Sequence, residues 1–81
     1  MQDGILELNL HGMTVYQAKI AIDSQLRRAK KGTYRLRLIH GYHGGTALRE
    51  MIRSEYRHHP GILRVELGLN PGETELVLRE F

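Results

Sequence analysis

Eighty-one residues at 9.3 kDa make one domain's worth of chain. A domain this small buries roughly 60–65% of its unfolded surface, which leaves room for one core and one site. Apolar residues at 41% and charged residues at 26% exclude disordered and fibrous classes, and five aromatics without Trp argue against a broad aromatic platform. The absence of Cys excludes disulfides and thiolate metal sites and fits a reducing cytoplasm. No apolar run approaches the roughly 20 residues of a membrane span, and Met1-Gln2-Asp3-Gly4 lacks the basic and apolar regions of a signal peptide. The expectation is a cytoplasmic protein with no membrane partner.

The elements follow in chain order. Ile5 to His11 alternates, with Leu6, Leu8 and Leu10 on one side and Glu7, Asn9 and His11 on the other, the period of a strand. Gly12 ends it. Thr14 and Gln17 have the spacing of a capping box, and Val15, Ala18, Ile22, Leu26 and Ala29 recur at helical intervals until Gly32. Tyr34, Leu36 and Leu38 alternate with Arg35 and Arg37 in a second strand that runs into Ile39-His40. The segment Gly41-Tyr42-His43-Gly44-Gly45 reads as a loop, and Thr46 can cap a second helix whose apolar stripe includes Leu48, Met51, Ile52 and Tyr56. Pro60-Gly61 closes that helix. Ile62 to Leu69 reads as a third strand, Asn70-Pro71-Gly72 as a tight turn and Thr74 to Arg79 as a fourth strand.

The order βαβαββ predicts a compact two-layer α/β sandwich in one domain, residues 1–81. Its mixed four-stranded sheet should be mostly parallel, because strand-helix-strand units cross over with one hand. The first three strands are expected as parallel neighbours, with the last added through its hairpin. Leu6, Leu8 and Leu10, like Leu63, Val65, Leu67 and Leu69, place apolar residues on one face only. Both helices should therefore cover that face, leaving Glu7, Asn9, Arg35, Arg37, Arg64 and Glu66 to solvent or to a partner.

Charge is unevenly spread. The net charge is +3, yet the stretch from Arg27 to Arg57 carries nine basic residues against Glu50 and Glu55, and the remainder is net negative. A face that binds a polyanion produces such an asymmetry, as does a solvated surface with local runs. Arg49, Arg53 and Arg57 recur at i, i+4 and i+8, a stripe that repels itself unless a phosphate backbone runs along it or Glu50 pairs with Arg53.

Ligands of sheets with parallel strands gather outside the carboxyl ends of the strands, where His11 and His40 fall. Each is followed by Gly and precedes a helix, and the second loop adds His43, Gly44 and Gly45. Glycines let backbone amides approach a phosphate, the helix beginning near Thr46 offers unpaired N–H groups, and imidazole can take and return a proton. Gly12, Gly41, Gly44, Gly45 and Thr46 are thus candidate phosphate contacts, and Tyr42 can stack on a base or fill a surface gap. The same histidines serve equally as turn residues. Two imidazoles without a nearby carboxylate under-ligate a metal, so no metal site is expected from His40 and His43. His58-His59 at a helix C-terminus suits a capping role.

Leu8 to Ala18 (LNLHGMTVYQA), Ile39 to Arg49 (IHGYHGGTALR) and His59-Pro60 together resemble the Smr (small MutS-related) domain family over essentially the whole chain. That family carries a Leu-Asp-x-His segment at the end of its first strand and a His-Gly-x-Gly or Thr-Gly-x-Gly loop before its second helix. The resemblance implies an α/β sandwich similar to the C-terminal domain of a bacterial translation initiation factor. It also implies nucleic-acid binding, DNA or RNA, with an endonuclease activity that nicks DNA or cleaves RNA. Leu8, Asn9 and His11 then stand at the first motif, and His40, Gly41 and either Gly44 or Gly45 at the second. Asn9 replaces the family's Asp and removes its charge. The loop is also one residue longer, with His43 where the second Gly would fall.

The reading is a nucleic-acid-binding domain and endonuclease, with His11, His40, His43 and Asn9 at the catalytic position. Gly12, Gly41, Tyr42, Gly44, Gly45, Thr46, Arg49, Arg53 and Arg57 hold the phosphate backbone. RNA supplies its own 2′-OH as nucleophile, whereas DNA needs a water and calls for Mg²⁺ or Mn²⁺. The alternatives are a binding module without turnover, for which Asn9 speaks, and a protein-interaction domain that uses the open sheet face.

Overall fold

The computed structural model of the chain describes residues 4–41 and 46–80. Tyr42, His43, Gly44 and Gly45 lie outside the described residues. The elements are β1 (Ile5–Asn9), α1 (Val15–Arg28), β2 (Arg35–Ile39), α2 (Thr46–Tyr56), β3 (Arg64–Leu67) and β4 (Glu73–Val77). The order is the expected βαβαββ.

The sheet runs β1-β2-β4-β3, with β1 and β2 parallel and both ladders of β4 antiparallel. Three strands therefore share one direction, but β3 is not the neighbour of β2. Burial explains the correction. Thr74, Glu75, Leu76 and Val77 of β4 are all buried, as a central strand requires, while Leu63, Leu67 and Leu69 around β3 are 57%, 73% and 88% exposed. Of that apolar row only Val65 packs against the core. At the sheet edge the others lie beyond the cover of the helices.

Ala18 and Ile22 of α1 and Leu48, Met51, Ile52 and Tyr56 of α2 pack with Leu36, Leu38 and Leu76 of the sheet in one core. Both helices cover the same face. α1 begins as its residues dictate: Thr14 Oγ1 accepts from the Gln17 N–H at 3.1 Å, and Gln17 Oε1 accepts from the Thr14 N–H at 2.9 Å. It ends one turn earlier than expected, at a C-cap Ala29 in extended conformation, so Gly32 does not terminate it. Thr46 is the first residue inside α2 rather than its cap. β3 and β4 are shorter than the apolar pattern suggested. The turn between them is closed by Glu73 N–H donating to Asn70 O at 3.1 Å, and Gly72 N–H donates to Asn70 Oδ1 at 2.9 Å.

The second face of the sheet is charged. Glu7, Arg37, Glu75 and Glu66 lie opposite one another across β1, β2, β4 and β3, and Arg35, Val77 and Arg64 form the adjacent row. Glu75 joins Arg35 at 2.6 Å and Arg37 at 2.9 Å, and Glu66 joins Arg35 at 2.9 Å and Arg64 at 2.6 Å. Glu7 completes the row on Arg37, and Glu80 binds Arg64. The tyrosine that closes the helix layer is similarly tied, since Tyr56 Oη donates to Asp23 Oδ1 at 2.6 Å between α2 and α1.

Candidate functional site

Parallel pairing sets Asn9 beside Ile39 and brings the carboxyl ends of β1 and β2 together. Leu10 N–H then donates to Ile39 O at 2.8 Å, and a turn from Leu10 to Met13 follows, closed by Met13 N–H on Leu10 O at 2.9 Å. Gly12 holds the left-handed position of that turn at φ +85°, where a side chain is strained. His11 is exposed at its tip. Asn9 Oδ1 accepts from the His11 N–H at 2.9 Å, a local clasp that an Asp carboxylate would make in the same way. The residue that departs from the family pattern thus keeps the shape of the turn and omits its charge.

The two His-Gly segments touch. A Cβ built on Gly41 would lie 2.5 Å from His11 Cδ2, and Gly41 itself has φ +89°. Glycine is required there twice over, by the backbone and by the ring lying against it. The Gly41 N–H donates to Gly72 O at 3.0 Å, as does the His40 N–H at 2.9 Å. Gly41 therefore serves the site through its missing side chain and not as an amide donor.

His40 is 1% exposed. Its Nε2 lies 2.9 Å from Thr74 Oγ1 and its Nδ1 lies 3.1 Å from Gly41 O. With both ring nitrogens engaged inside the protein, His40 ties the loop to β4 from below while His11 meets solvent. Gly72 and Thr74 are members of this junction that the sequence reading missed. The Asn-Pro-Gly turn is evident as a turn, but only the insertion of β4 beside β2 brings it to the strand ends.

Arg53 and Arg57 are exposed on α2 and just beyond its end, and Arg49 is half-buried. Among the described residues none of the three has an acidic partner, so the Glu50–Arg53 pair does not form. Arg49 Nε is buried without a hydrogen-bond partner among the described residues. Arg53, Arg57 and His58 line a groove of about 540 Å³ against β3, and Arg49 and Arg53 line its continuation of about 380 Å³ against Asn70 and Pro71. The turn that supports Gly41 also walls the arginine groove.

Arg35 and Arg37 belong to the same basic stretch of sequence but point the opposite way, into the ionic face. Hydrogen bonds from Arg64 and then Arg35 hold the Glu66 carboxyl below its ordinary value, and Arg64 does the same to Glu80. Burial, reinforced by Asp23, pushes the Tyr56 phenol far above its ordinary value. Among the described residues no three His, Cys, Asp or Glu side chains converge as metal ligands. No helix among the described residues is long and apolar enough to cross a membrane.

Comparison with known proteins gives two concordant likenesses. The Smr domain family profile matches residues 8–73. The crystal structure of the Smr domain of Thermus thermophilus MutS2 superposes with a TM-score of 0.79 at 32% identity, covering 93% of this chain and 99% of that one. No curated protein sequence matches. The matched span takes in both His-Gly segments and the turn that joins them, and the superposed domain has the same two-layer architecture: this chain belongs to the Smr domain family.

Proposed function

We propose that this domain binds nucleic acid along the Arg49–Arg53–Arg57 face and cleaves RNA at the His11–Gly41 junction. The observation that carries the reading is the contrast between two sets of arginines. Those of the sheet are neutralised by glutamates, while those of α2 form no ion pair among the described residues, although Glu66 and Glu73 also line the grooves they face. From Arg49 to Arg57 the stripe spans roughly 12 Å along the axis of α2, long enough to meet more than one phosphate of a backbone laid beside it. Thr46 and the first turn of α2 add N–H groups at the head of the stripe.

His11 is the exposed imidazole at that head. It takes the proton of a ribose 2′-OH as the oxygen attacks phosphorus, and the bond from phosphorus to the 5′-oxygen breaks. The departing oxygen takes a proton from a second imidazole, the role assigned to His43, leaving a 2′,3′-cyclic phosphate and a 5′-OH. Gly12 lets the His11 turn form, Gly44 and Gly45 cradle the phosphate, and Tyr42 stacks on a neighbouring base. His40 positions the loop through Thr74 and touches no substrate. Cleavage of DNA would draw on a divalent ion, and no step is assigned through one.

The neutral Asn9 favours a second reading, a binding module with the same surface and no turnover. One assay separates them: labelled RNA and branched DNA at low salt, with and without Mg²⁺ or Mn²⁺, using the wild type and His11→Ala. Cleavage lost in the variant while binding persists supports the nuclease. Binding without cleavage in every condition supports the module, and the absence of both overturns the nucleic-acid reading in favour of a protein partner.

A further inference from the structure

Leu63, Val65 and Leu67 wall the groove beside α2, yet the exposed apolar edge they form on β3 is a feature that phosphate binding does not explain. Among the described residues β3 pairs on one side only, with β4. Gly68 N–H donates to Glu73 O at 3.1 Å, and bonded pairs alternate along an antiparallel ladder, so Arg64 and Glu66 turn their amides towards β4 while Val65 and Leu67 turn theirs outwards. Outward amides flanked by exposed leucines form a template for another strand.

What that strand is can be read from the charges. The segment Leu63-Arg64-Val65-Glu66-Leu67 keeps its apolar pattern when reversed and exchanges plus for minus. We propose that β3 pairs antiparallel with β3 of a second copy of this chain, about a two-fold axis through Val65. Each Arg64 then lies opposite Glu66 of the second copy, Leu63 lies opposite Leu67, and the two Val65 residues face one another. The Val65 residues exchange both backbone bonds, and each Leu67 N–H reaches the Leu63 carbonyl across the axis. Leu63 N–H stays on Val77 O, at 2.8 Å within its own chain.

Neighbouring symmetric registers are excluded by charge, since an axis through Arg64 or Glu66 sets like charges face to face. The other sheet edge has no such complement, because Glu7 is the only ionised residue of β1. A two-fold axis normal to the sheet keeps both helix layers on one side, so Leu63 and Leu67 of the two copies form one continuous apolar strip. Leu63 to Leu67 also line the groove beside α2, so the pairing is tested on the protein without nucleic acid, where the outcome does not depend on what the groove holds.

Sedimentation equilibrium of the chain alone, from about 1 µM to 1 mM, tests it. The mass should move from 9.3 kDa towards twice that value. Arg64→Glu and Glu66→Arg should each weaken self-association by about tenfold or more, because each sets two like-charge pairs across the axis, and an equimolar mixture of the two variants should recover the wild-type affinity as a heterodimer. Leu67→Lys, at a 73% exposed position that tolerates the change, should weaken it with the circular dichroism spectrum unaltered. A wild type that stays at 9.3 kDa, a mixture that fails to recover, or a dimer indifferent to Leu67→Lys each overturns the proposal.

Discussion

The His11 ring lies directly over the α-carbon of Gly41, so close that a Cβ there would stand 2.5 Å from His11 Cδ2. Two loops more than two dozen residues apart in sequence are thereby locked to one geometry. The lock also makes the exposed imidazole of one loop sensitive to a methyl group on the other.

Gly41→Ala should therefore be costly in two ways. Its φ of +89° strains an L residue by about 1–3 kcal/mol, and the new methyl group must displace His11. Urea unfolding should register the strain. If cleavage depends on the placement of His11, turnover should fall about a hundredfold with nucleic-acid affinity nearly unchanged, because small misplacements of a reacting group are amplified in the rate. Unchanged turnover would remove His11 from the chemistry.

Segregation of the arginines predicts a difference between two faces. Arg53→Ala and Arg57→Ala should each weaken nucleic-acid binding and reduce the magnitude of the slope of log K against log salt by about one. Arg37→Ala, on the ionic face, should leave that slope alone. It should instead cost stability, because it strips one of the two guanidinium groups from the buried Glu75. Equal effects of the two kinds of substitution on the salt slope would contradict the assignment of the groove.

The open face should also set the acid limb of stability. Glu66 and Glu80 have carboxyl groups held below their ordinary value of 4.5, chiefly by hydrogen bonds from Arg64. A carboxylate whose value is lowered on folding adds stability above its unfolded value, and that addition is lost as pH falls through the folded one. The melting temperature should thus be insensitive to pH near neutrality, where these pairs contribute in full, and decline below about pH 4.5. The variant Glu66→Gln/Glu80→Gln, measured at a few micromolar, should show a shallower decline, and an identical acid limb would show that other groups control it.

Much of the architecture was legible before the structure, and the exceptions share a cause. The capping box of Thr14 and Gln17, the one-sided strands and the Asn-Pro-Gly turn depend on contacts within a few residues, so their patterns appear locally. The insertion of β4 between β2 and β3 depends on a long-range choice between ladders, and the alternating pattern of Leu63 to Leu69 says only which side would be apolar. The same limit hid the site's support. His40 looks like His11 in sequence, with a Gly after it and a helix beyond, yet one ring is buried against Thr74 and the other is exposed. Likewise Arg35 and Arg49 share one basic stretch and end on opposite sides of the sheet, because Arg35 projects from the ionic face of β2 and Arg49 is carried on the helix that covers the other face.

The buried imidazole gives a test of that distinction. Thr74→Val keeps the volume of the side chain but removes the oxygen 2.9 Å from His40 Nε2, leaving a buried nitrogen without a partner at a cost of about 1–3 kcal/mol. Since His40 acts on the loop and not on substrate, the pH at which cleavage is fastest should stay where it is while the melting temperature falls. A moved pH optimum with an unmoved melting temperature would make His40 a proton donor or acceptor in the reaction.

Asn9 offers the sharpest experiment, because its amide oxygen already makes the bond that a carboxylate would make. Asn9→Asp retains an acceptor 2.9 Å from the His11 backbone N–H and adds a negative charge to the turn that carries His11. If the family's carboxylate takes part in the reaction, restoring it should change the pH profile of RNA cleavage. Turnover should appear or increase if the missing charge is what limits this domain. Asn9→Ala, which removes the acceptor altogether, should loosen the turn and lower any cleavage while sparing salt-dependent binding along α2. Should Asn9→Asp bind RNA as the wild type does and still leave it intact at every pH, the charge is not the missing element and the domain acts by binding alone.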